Sequence, residues 1–334
     1  MSFFLFIWNL DAFAVDYPFN YGAYDISVYN QNAVPNRPQE PPFTDVINKF
    51  GPLKVKEGFF KSETLIKPWS SWWYPRFEKT LFDDSTPNGP STLTRYDEYV
   101  KKLTGESPQS RNYEEENLFS NQAASWEGLC YAWSIASLME KEPVKAISLQ
   151  GVKFRIQDLK ALQIKIYEGS FLPTSFGQRN NAAWNSVYED IYPEQFHRFL
   201  QVEIFDKKLP FNMDLDAGYQ IWNVPVFKVE TKISKNPNDP KNVHVKTWVY
   251  AASPFVLNLN FVGTSVILKV YTYDLYGKWD EGGEFLADYG IWTDNSRWDH
   301  PDYLMPRPNS AIKKIRNTKL NIHIIDEILN STKN

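Results

Sequence analysis

Four alternating or apolar segments in the second half of the chain constrain its fold most strongly. They cover residues 221–233, 243–252, 256–273 and 284–292, with Pro and Gly residues between them. Such a series is typical of consecutive strands of an antiparallel sheet. The segments before residue 214 have helical spacing instead. Helices followed by a run of strands predict an α+β fold.

Four segments before residue 214 are predicted to be helical, wholly or in part. Residues 94–103 form an amphipathic pattern that ends before Gly105, and a second helix is expected to begin at Ser125 as its N-cap. Residues 151–167 indicate a strand followed by a helix. Residues 184–200 are expected to be helical in two pieces, broken at Pro193.

The composition excludes several function classes. Hydrophobic residues make up 43% and charged residues 23% of the 334 residues, which is typical of a globular protein. The net charge is −4 and the basic residues are scattered, so neither nucleic acid nor an anionic membrane surface is expected as a partner. No apolar run after the N-terminus reaches the roughly 18 residues of a membrane-spanning helix.

The N-terminal segment predicts export. An apolar run over residues 3–8 precedes Ala12-Phe13-Ala14, a small-residue cleavage pattern, so residues 1–14 are interpreted as a signal peptide. The protein is therefore expected to be secreted or periplasmic. Residues 15–60 are predicted to form an extended arm or linker, residues 61–310 the catalytic domain, and residues 311–334 a C-terminal tail.

Aromatic residues make up 16% of the chain, and four of them fall between Pro68 and Pro75. One interpretation of this block is an aromatic plug over the core. The other is one wall of a substrate cleft.

Cys130 is the only cysteine, which excludes an intramolecular disulfide and a multi-thiolate zinc site. It is predicted to lie in the first turns of a helix, where unpaired backbone N–H groups stabilise a thiolate and bind an oxyanion. Gly128, two residues earlier, lets another group approach closely. The alternative is a helical cysteine packed as a small apolar residue.

A thiol nucleophile needs a base and a group that orients the base. Of the four histidines, His197 and His300 are the plausible bases. His244 is expected at the surface, and His323 is expected to have a structural or surface role. For His197, a carboxylate follows at Asp214. Two further residues are candidates for the orienting role: Asp216 and Asn223.

Several motifs of the chain resemble the transglutaminase elicitor family, which was first known from oomycete wall enzymes. The matching pieces, in order, are Pro68–Pro75, Trp126-x-Gly128-x-Cys130-x-Ala132-Trp133, Gly151-Val152-x-Phe154 with Asp158 and Leu162, Asn181-Ala182-Ala183, Tyr192-Pro193-x-x-Phe196-His197, Asp214, Ile221-Trp222-Asn223-x-Pro225-Val226 and Asp299-His300-Pro301-Asp302-Tyr303-Leu304.

The resemblance implies a transglutaminase-like, papain-like cysteine enzyme core. It implies Cys130 as nucleophile, His197 as base and Asp214 as its orienter, with His300 as the alternative base. Supporting or oxyanion-binding roles are expected for four further residues: Trp126, Gly128, Trp222 and Asn223.

The implied reaction is aminoacyl transfer through a thioester on Cys130, from a protein or peptide Gln donor to a primary amine such as Lys, with cell-wall components among the conceivable substrates. No cofactor is needed for this chemistry, although the resemblance allows activation by calcium. Two acidic groups are candidate ligands: Asp294 with Asp299 and Asp302, and Asp280 with Glu281 and Glu284.

Two alternatives stay open. The same residues suit a papain-like hydrolase, acting as a deamidase, a peptidase or an amidase of peptidoglycan stem peptides. The third hypothesis is a non-enzymatic binding module whose aromatic side chains hold sugar or peptide.

Overall fold

The structure is a computed structural model that describes residues 46–85, 87, 89–179, 190–215, 220–297 and 299–332. The predicted signal peptide and most of the predicted arm lie outside these residues. Within them, no helix has the length and apolar character needed to cross a membrane.

The predicted α+β class is confirmed. A large antiparallel sheet contains nine strands: β1 (Leu53–Val55), β2 (Gly58–Glu63), β5 (Phe176–Gly177), β6 (Phe211–Asp214), β7 (Asn223–Lys235), β8 (Asn242–Ala252), β9 (Val266–Trp279), β10 (Phe285–Trp292) and β11 (Tyr303–Pro306). Strands β3 (Ile147–Leu149) and β4 (Val152–Phe154) form a separate hairpin.

The strand order of the sheet is β1-β10-β9-β8-β7-β6-β11-β5, and β2 pairs with the second half of β7. The sheet curls, as a hydrogen bond between distant strands shows. The Tyr271 hydroxyl of β9 donates to the carbonyl of Leu215, just after β6, over 2.6 Å. Strands that are three places apart in the order thus face one core. Antiparallel strands with one buried face curl in this way because each is twisted relative to the next.

The helices are α1 (Val46–Phe50), α2 (Thr92–Thr104), α3 (Ser110–Asn117), α4 (Cys130–Met139), α5 (Ile156–Lys165), α6 (Pro193–Leu200) and α7 (Ile322–Asn330). A π-helical turn, Gln201–Asp206, continues α6. Helix α4 packs on β6 and β7, and α6 packs on β9 and β10. Ser134 of α4 bonds to Asn212, whereas Phe199 of α6 packs on Phe211. Neighbouring residues of a strand point to opposite faces, so the helix that begins with Cys130 and the helix that carries His197 cover opposite faces of β6.

The structure differs from the sequence prediction at the start of α4. Helix α4 begins at Cys130, with Leu129 as its N-cap, and not near Ser125. The N–H of Leu129 donates to the carbonyl of Trp73 over 2.7 Å, so the chain before Cys130 is held against the aromatic block. The sulfur consequently sits at the first helical residue.

Parts of the predicted arm and of the predicted C-terminal tail pack against the rest of the fold. Strands β1 and β2 belong to the main sheet, and alternate side chains of β1 are buried against β10. Ile325 and Ile328 are fully buried, and α7 packs on α5. The described residues, from Val46 onward, belong to one compact unit.

The predicted helix ahead of Gly105 is confirmed as α2, and Gly105 has φ 86°, the left-handed conformation of a helix C-cap. The strand and helix predicted over residues 151–167 are confirmed as β4 and α5. Pro193 occupies the first turn of α6, where it needs no hydrogen-bond donor. The part of that predicted helix before residue 190 lies outside the described residues.

Candidate active site

The thiol of Cys130 lies at the N-terminus of α4 and is 5% exposed. Its S–H group donates to the carbonyl of Ile221 over 3.7 Å. The backbone N–H groups of Asn223, Tyr131 and Cys130 itself face the sulfur. These donors belong to the strand entry at β7 and to the first turn of the helix, so they are fixed by secondary structure.

Burial raises the pKa of the Cys130 thiol to about 12, and the negative charge of Asp214 adds to the rise. The backbone N–H groups act in the opposite direction, because they stabilise the thiolate. The first effect dominates, so the resting group is a neutral thiol at pH 7. A thiolate at this sulfur requires a further proton acceptor or a change in its surroundings.

Asp214 is the carboxylate whose charge acts on the thiol, and Tyr303 is a second ionisable side chain near the sulfur. It ends β6, is fully buried and lies opposite Asn223 in the strand ladder. Its Oδ1 accepts the N–H of Trp222 over 2.7 Å. Residues 221–223 therefore supply the carbonyl that faces the thiol, the N–H that holds Asp214 and the N–H that faces the sulfur.

His197 lies on the other face of the sheet from Cys130, because its helix packs on Phe211 whereas the helix of Cys130 bonds to Asn212. Its Nδ1 is 2.6 Å from the hydroxyl of Tyr273 on β9, and that hydroxyl is 2.9 Å from the hydroxyl of Thr247. Burial lowers the pKa of His197 to about 4, so its imidazole is neutral at pH 7. Within the described residues, no hydrogen bond joins His197 to Cys130 or Asp214, and its role as base stays a prediction.

His300, the alternative base, is also buried. Its Nδ1 is 2.8 Å from the carbonyl of Ser296, and its Nε2 is 2.9 Å from Oδ2 of Asp190. The ring stacks on Trp292, with the two planes 13° apart. A carbonyl accepts only, so Nδ1 carries a proton and the pair with Asp190 involves Nε2. These contacts hold the chain just ahead of β11.

The other two histidines are exposed, as predicted. Nδ1 of His244 is 2.6 Å from a carboxylate oxygen of Asp274 at the surface of the sheet, and His323 lies on the exposed side of α7. The spare candidate Asp216 and the motif at residues 181–183 lie outside the described residues.

The aromatic block Pro68–Pro75 is buried against both ends of α4. The indole N–H of Trp133 donates to the carbonyl of Trp69 over 3.1 Å, and that of Trp69 donates to the carbonyl of Glu140, just past the helix. The buried ammonium of Lys160 donates to the carbonyl of Ser70 over 2.7 Å. The burial of these rings agrees with the interpretation of the block as a plug over the core. Its role as a cleft wall stays a prediction.

Gly128 lies against Trp73. A Cβ at Gly128 would be 2.6 Å from Cζ3 of Trp73 and 3.0 Å from the carbonyl oxygen of Tyr74. The expected close approach of another group at this glycine is therefore found, and that group is an indole ring. The Trp73 ring in turn meets Trp222 edge-on, at 5.1 Å between the ring centroids.

Trp126 and Trp222, the two other predicted supporting residues, differ in their surroundings. Trp222 is 6% exposed and packs on Trp73 and Phe255. Trp126 is half-buried, and the guanidinium of Arg179 lies over its ring at 5.3 Å. Trp222 contributes to an aromatic layer beside the thiol, whereas Trp126 belongs to the turn that leads to it.

Sequence reasoning missed a buried polar chain next to the thiol. Ser134 donates to Oδ1 of Asn212 over 2.6 Å, and Nδ2 of Asn212 donates to Oδ1 of Asn223 over 2.7 Å. The hydroxyl of Tyr303 donates to the same oxygen over 3.1 Å. Tyr303 falls in a motif that the resemblance singled out, but Ser134 and Asn212 have no signal in one sequence.

Three of the acidic residues named as candidate calcium ligands pair with lysine. Asp299 pairs with the ammonium of Lys269 at 2.6 Å, and Asp280 and Glu284 pair with that of Lys54 at 3.8 and 3.5 Å. In the described part of the chain, no three His, Cys, Asp or Glu side chains come together as metal ligands. Activation by calcium stays a prediction.

The profile of the family described as "Transglutaminase elicitor" matches residues 103–274, just over half of the chain. The chain belongs to the transglutaminase elicitor family.

A solved structure supports the fold. The structure is similar to the crystal structure of the GP42 transglutaminase from Phytophthora sojae, with a TM-score of 0.65 and 19% sequence identity. The similarity covers 86% of this chain and 96% of the GP42 chain, and at this identity it shows the fold alone. No curated protein sequence matches the chain.

Proposed function

We propose that the protein is a cysteine-dependent acyltransferase of the protein-glutamine γ-glutamyltransferase type, with Cys130 as its nucleophile. One observation carries the proposal. The only thiol of the chain begins a helix, and backbone N–H groups from that helix and from β7 face its sulfur. Donors fixed in this way stabilise the negative charge of a thiolate or of a tetrahedral oxyanion.

The reaction has two transfers. The sulfur of Cys130 attacks the carboxamide carbon of a Gln side chain, the C–N bond breaks, and the thiol proton leaves with the nitrogen as ammonia. A primary amine then attacks the thioester, the C–S bond breaks, and the amine proton returns to sulfur as the isopeptide bond forms. Atoms balance without an oxidant, a reductant or a metal ion.

The proton transfer is the demanding step, because burial keeps the resting thiol protonated. We assign the role of immediate proton acceptor to Asp214, whose negative charge raises the pKa of this thiol. A carboxylate is too weak a base to produce a free thiolate, so the proton leaves sulfur only as the C–S bond forms, and Asp214 passes it to the departing nitrogen. If His197 is the base instead, alkylation of Cys130 should titrate well below the ordinary pKa of a thiol.

Exclusion of water favours transfer over hydrolysis. The sulfur is almost inaccessible, and Trp73 and Trp222 form an aromatic layer beside it. A thioester in such surroundings survives until an amine displaces it, because bulk water has little access. Donor and acceptor are proposed to be Gln and Lys side chains of proteins or peptides, cell-wall components among them, in a secreted or periplasmic setting.

The test is incorporation of a fluorescent primary amine into a Gln-containing protein, with ammonia release and peptide cleavage measured in parallel. The wild type, Cys130→Ala and Asp214→Asn are compared, each with calcium and with a chelator. The expected result is incorporation by the wild type under both conditions and its loss in Cys130→Ala. Cys130-dependent ammonia release or cleavage without incorporation would favour the hydrolase, and inactivity in every assay would favour the binding module.

A further inference from the structure

The buried polar side chains around the thiol form a closed circuit. Cys130 and Ser134 are four residues apart in α4, so they lie on the same side of the helix. From Ser134 the circuit runs to Asn212, then to Asn223, and the backbone N–H of Asn223 faces the sulfur of Cys130. The hydrogen bonds therefore begin and end on one face of one helix.

The register of the sheet makes the circuit possible. Asn212 and Asp214 are two residues apart in β6 and share a face, and Asp214 lies directly opposite Asn223 in β7. Met305 of β11 lies opposite Asn212 on the other edge of β6, so Tyr303 enters from the third strand. Asn223 is thus approached by side chains from β6 and from β11, the next strand beyond β6.

Each donor in the circuit has one acceptor. Oδ1 of Asn223 accepts two hydrogen bonds, from Nδ2 of Asn212 and from the hydroxyl of Tyr303, while Oδ1 of Asn212 accepts from Ser134. Burial raises the pKa of Tyr303 well above its usual value, which keeps this hydroxyl a donor. The side chain of Asn223 is therefore held from two directions.

These groups are too deeply buried for water to replace a lost donor. Ser134 and Asn212 are fully buried and Asn223 is 2% exposed. Loss of one donor leaves a buried acceptor short of a partner, a change that costs more than a surface hydrogen bond. Asn223 would then shift, and its backbone N–H would move with it.

We propose that Ser134, Asn212 and Tyr303 are positioning residues of the acyl-transfer site, acting through Asn223 to hold its backbone N–H against the sulfur of Cys130. The proposal rests on the proposed function of Cys130 and deepens it. None of the three has to touch the substrate, since their effect is transmitted through the side chain of Asn223.

Two single-oxygen deletions test the proposal, Ser134→Ala and Tyr303→Phe. Each has a matched control in the same chain. Ser137→Ala removes a buried hydroxyl of the same helix that donates to the carbonyl of Ser134, and Tyr96→Phe removes a buried hydroxyl that accepts from the N–H of Asn321. Neither control belongs to the circuit.

Two readouts are measured on variants whose near-UV circular dichroism matches the wild type. One is kcat and KM for amine incorporation. The other is the rate of alkylation of Cys130 by iodoacetamide between pH 7 and 11, which needs no acyl transfer. Ser134→Ala and Tyr303→Phe should lower kcat about tenfold with KM within about twofold. They should also move the alkylation profile to higher pH, because the N–H of Asn223 moves away from the sulfur and stabilises the thiolate less.

Three outcomes would overturn the positioning role. In the first, both variants keep the kcat and the alkylation profile of Ser137→Ala and Tyr96→Phe. In the second, kcat falls without a shift of the alkylation profile. In the third, KM rises at unchanged kcat. If Tyr303→Phe does not fold, Ser134→Ala decides alone.

Failure of the proposed function is distinguishable from these results. It would appear as amine incorporation that survives Cys130→Ala, or as its absence in the wild type. In either case the alkylation profiles still report whether the circuit controls the sulfur.

Discussion

Protonation of His197 should destabilise the protein as the pH falls, and the size of the effect follows from its burial. The ordinary pKa of 6.5 applies to the unfolded chain, whereas burial lowers the folded value to about 4. Between these pH values, the imidazole of His197 is therefore protonated in the unfolded state and neutral in the folded state. The stability contributed by the neutral imidazole is fully present above pH 6.5 and is lost as the pH falls towards 4.

Each unit of difference corresponds to about 1.4 kcal/mol. The expected loss is about 2 kcal/mol at pH 5 and about 3 kcal/mol at pH 4, relative to neutral pH. We expect His197→Gln to lack this share of the acid sensitivity, whatever the cost of the substitution at pH 7. Other titrating groups contribute equally to both proteins, so the difference between the two pH profiles isolates His197.

The assay is urea unfolding at half-unit intervals from pH 7.5 to 4, followed by tryptophan fluorescence. His323→Gln, which removes an exposed imidazole of α7, controls for the loss of one histidine. Parallel profiles for the wild type and His197→Gln would refute the buried, neutral imidazole.

Three further predictions concern the site and its support. Gly128→Ala should cost about 1–3 kcal/mol of unfolding free energy and lower amine incorporation, because the new Cβ would overlap the ring of Trp73. The control Gly282→Ala should leave thermal unfolding nearly unchanged, because the atom nearest to its Cβ is a side-chain oxygen 3.4 Å away. Lys165→Met should cost about 3–5 kcal/mol in urea unfolding, because two buried glutamates lose their shared ammonium, and an unchanged midpoint would contradict this. Because burial raises the pKa of the Cys130 thiol, the stability contributed by the neutral thiol is present below pH 9 and is lost as the pH rises above it. At pH 10 the free energy of unfolding of the wild type should therefore fall by about 1.4 kcal/mol more than that of Cys130→Ala. Equal losses would mean that the thiol is accessible to solvent.

The thiol of Cys130 differs from a papain-like nucleophile in its charged neighbour. Papain-like nucleophiles are reactive because an imidazolium lies beside the thiolate. Here the charged neighbour of Cys130 is a carboxylate, and the imidazole of His197 is bonded to Tyr273. The papain-like core expected from the resemblance therefore stays a prediction, and slow alkylation at neutral pH would separate this site from a papain-like one.

Local patterns in the sequence determined the class of fold. From residue 227 to residue 234, β7 alternates between buried and more exposed side chains, so its period of two is visible without any tertiary contact. Gly105 ends α2 for an equally local reason, because a residue with φ 86° is strained unless it is glycine. The single cysteine, its flanking glycine and the ordered motifs also sufficed to indicate the family.

The beginning of α4 could not be predicted in the same way. Ser125 is a good N-cap by residue type, but the chain before Cys130 is held instead by the hydrogen bond between the N–H of Leu129 and the carbonyl of Trp73. That bond joins segments more than 50 residues apart. A propensity of about 1 kcal/mol at an N-cap is easily outweighed by such packing.

The partners of the thiol were decided by the tertiary structure alone. The order of the residues along the chain allows both His197 and Asp214 in a triad. Strand pairing, however, brings Asp214 opposite Asn223 and next to Cys130, whereas His197 is hydrogen-bonded to Tyr273. Burial then sets the two pKa values, raising that of the thiol and lowering that of the imidazole. Residue type and spacing are properties of the sequence, whereas desolvation and register depend on which segments the folded chain brings together.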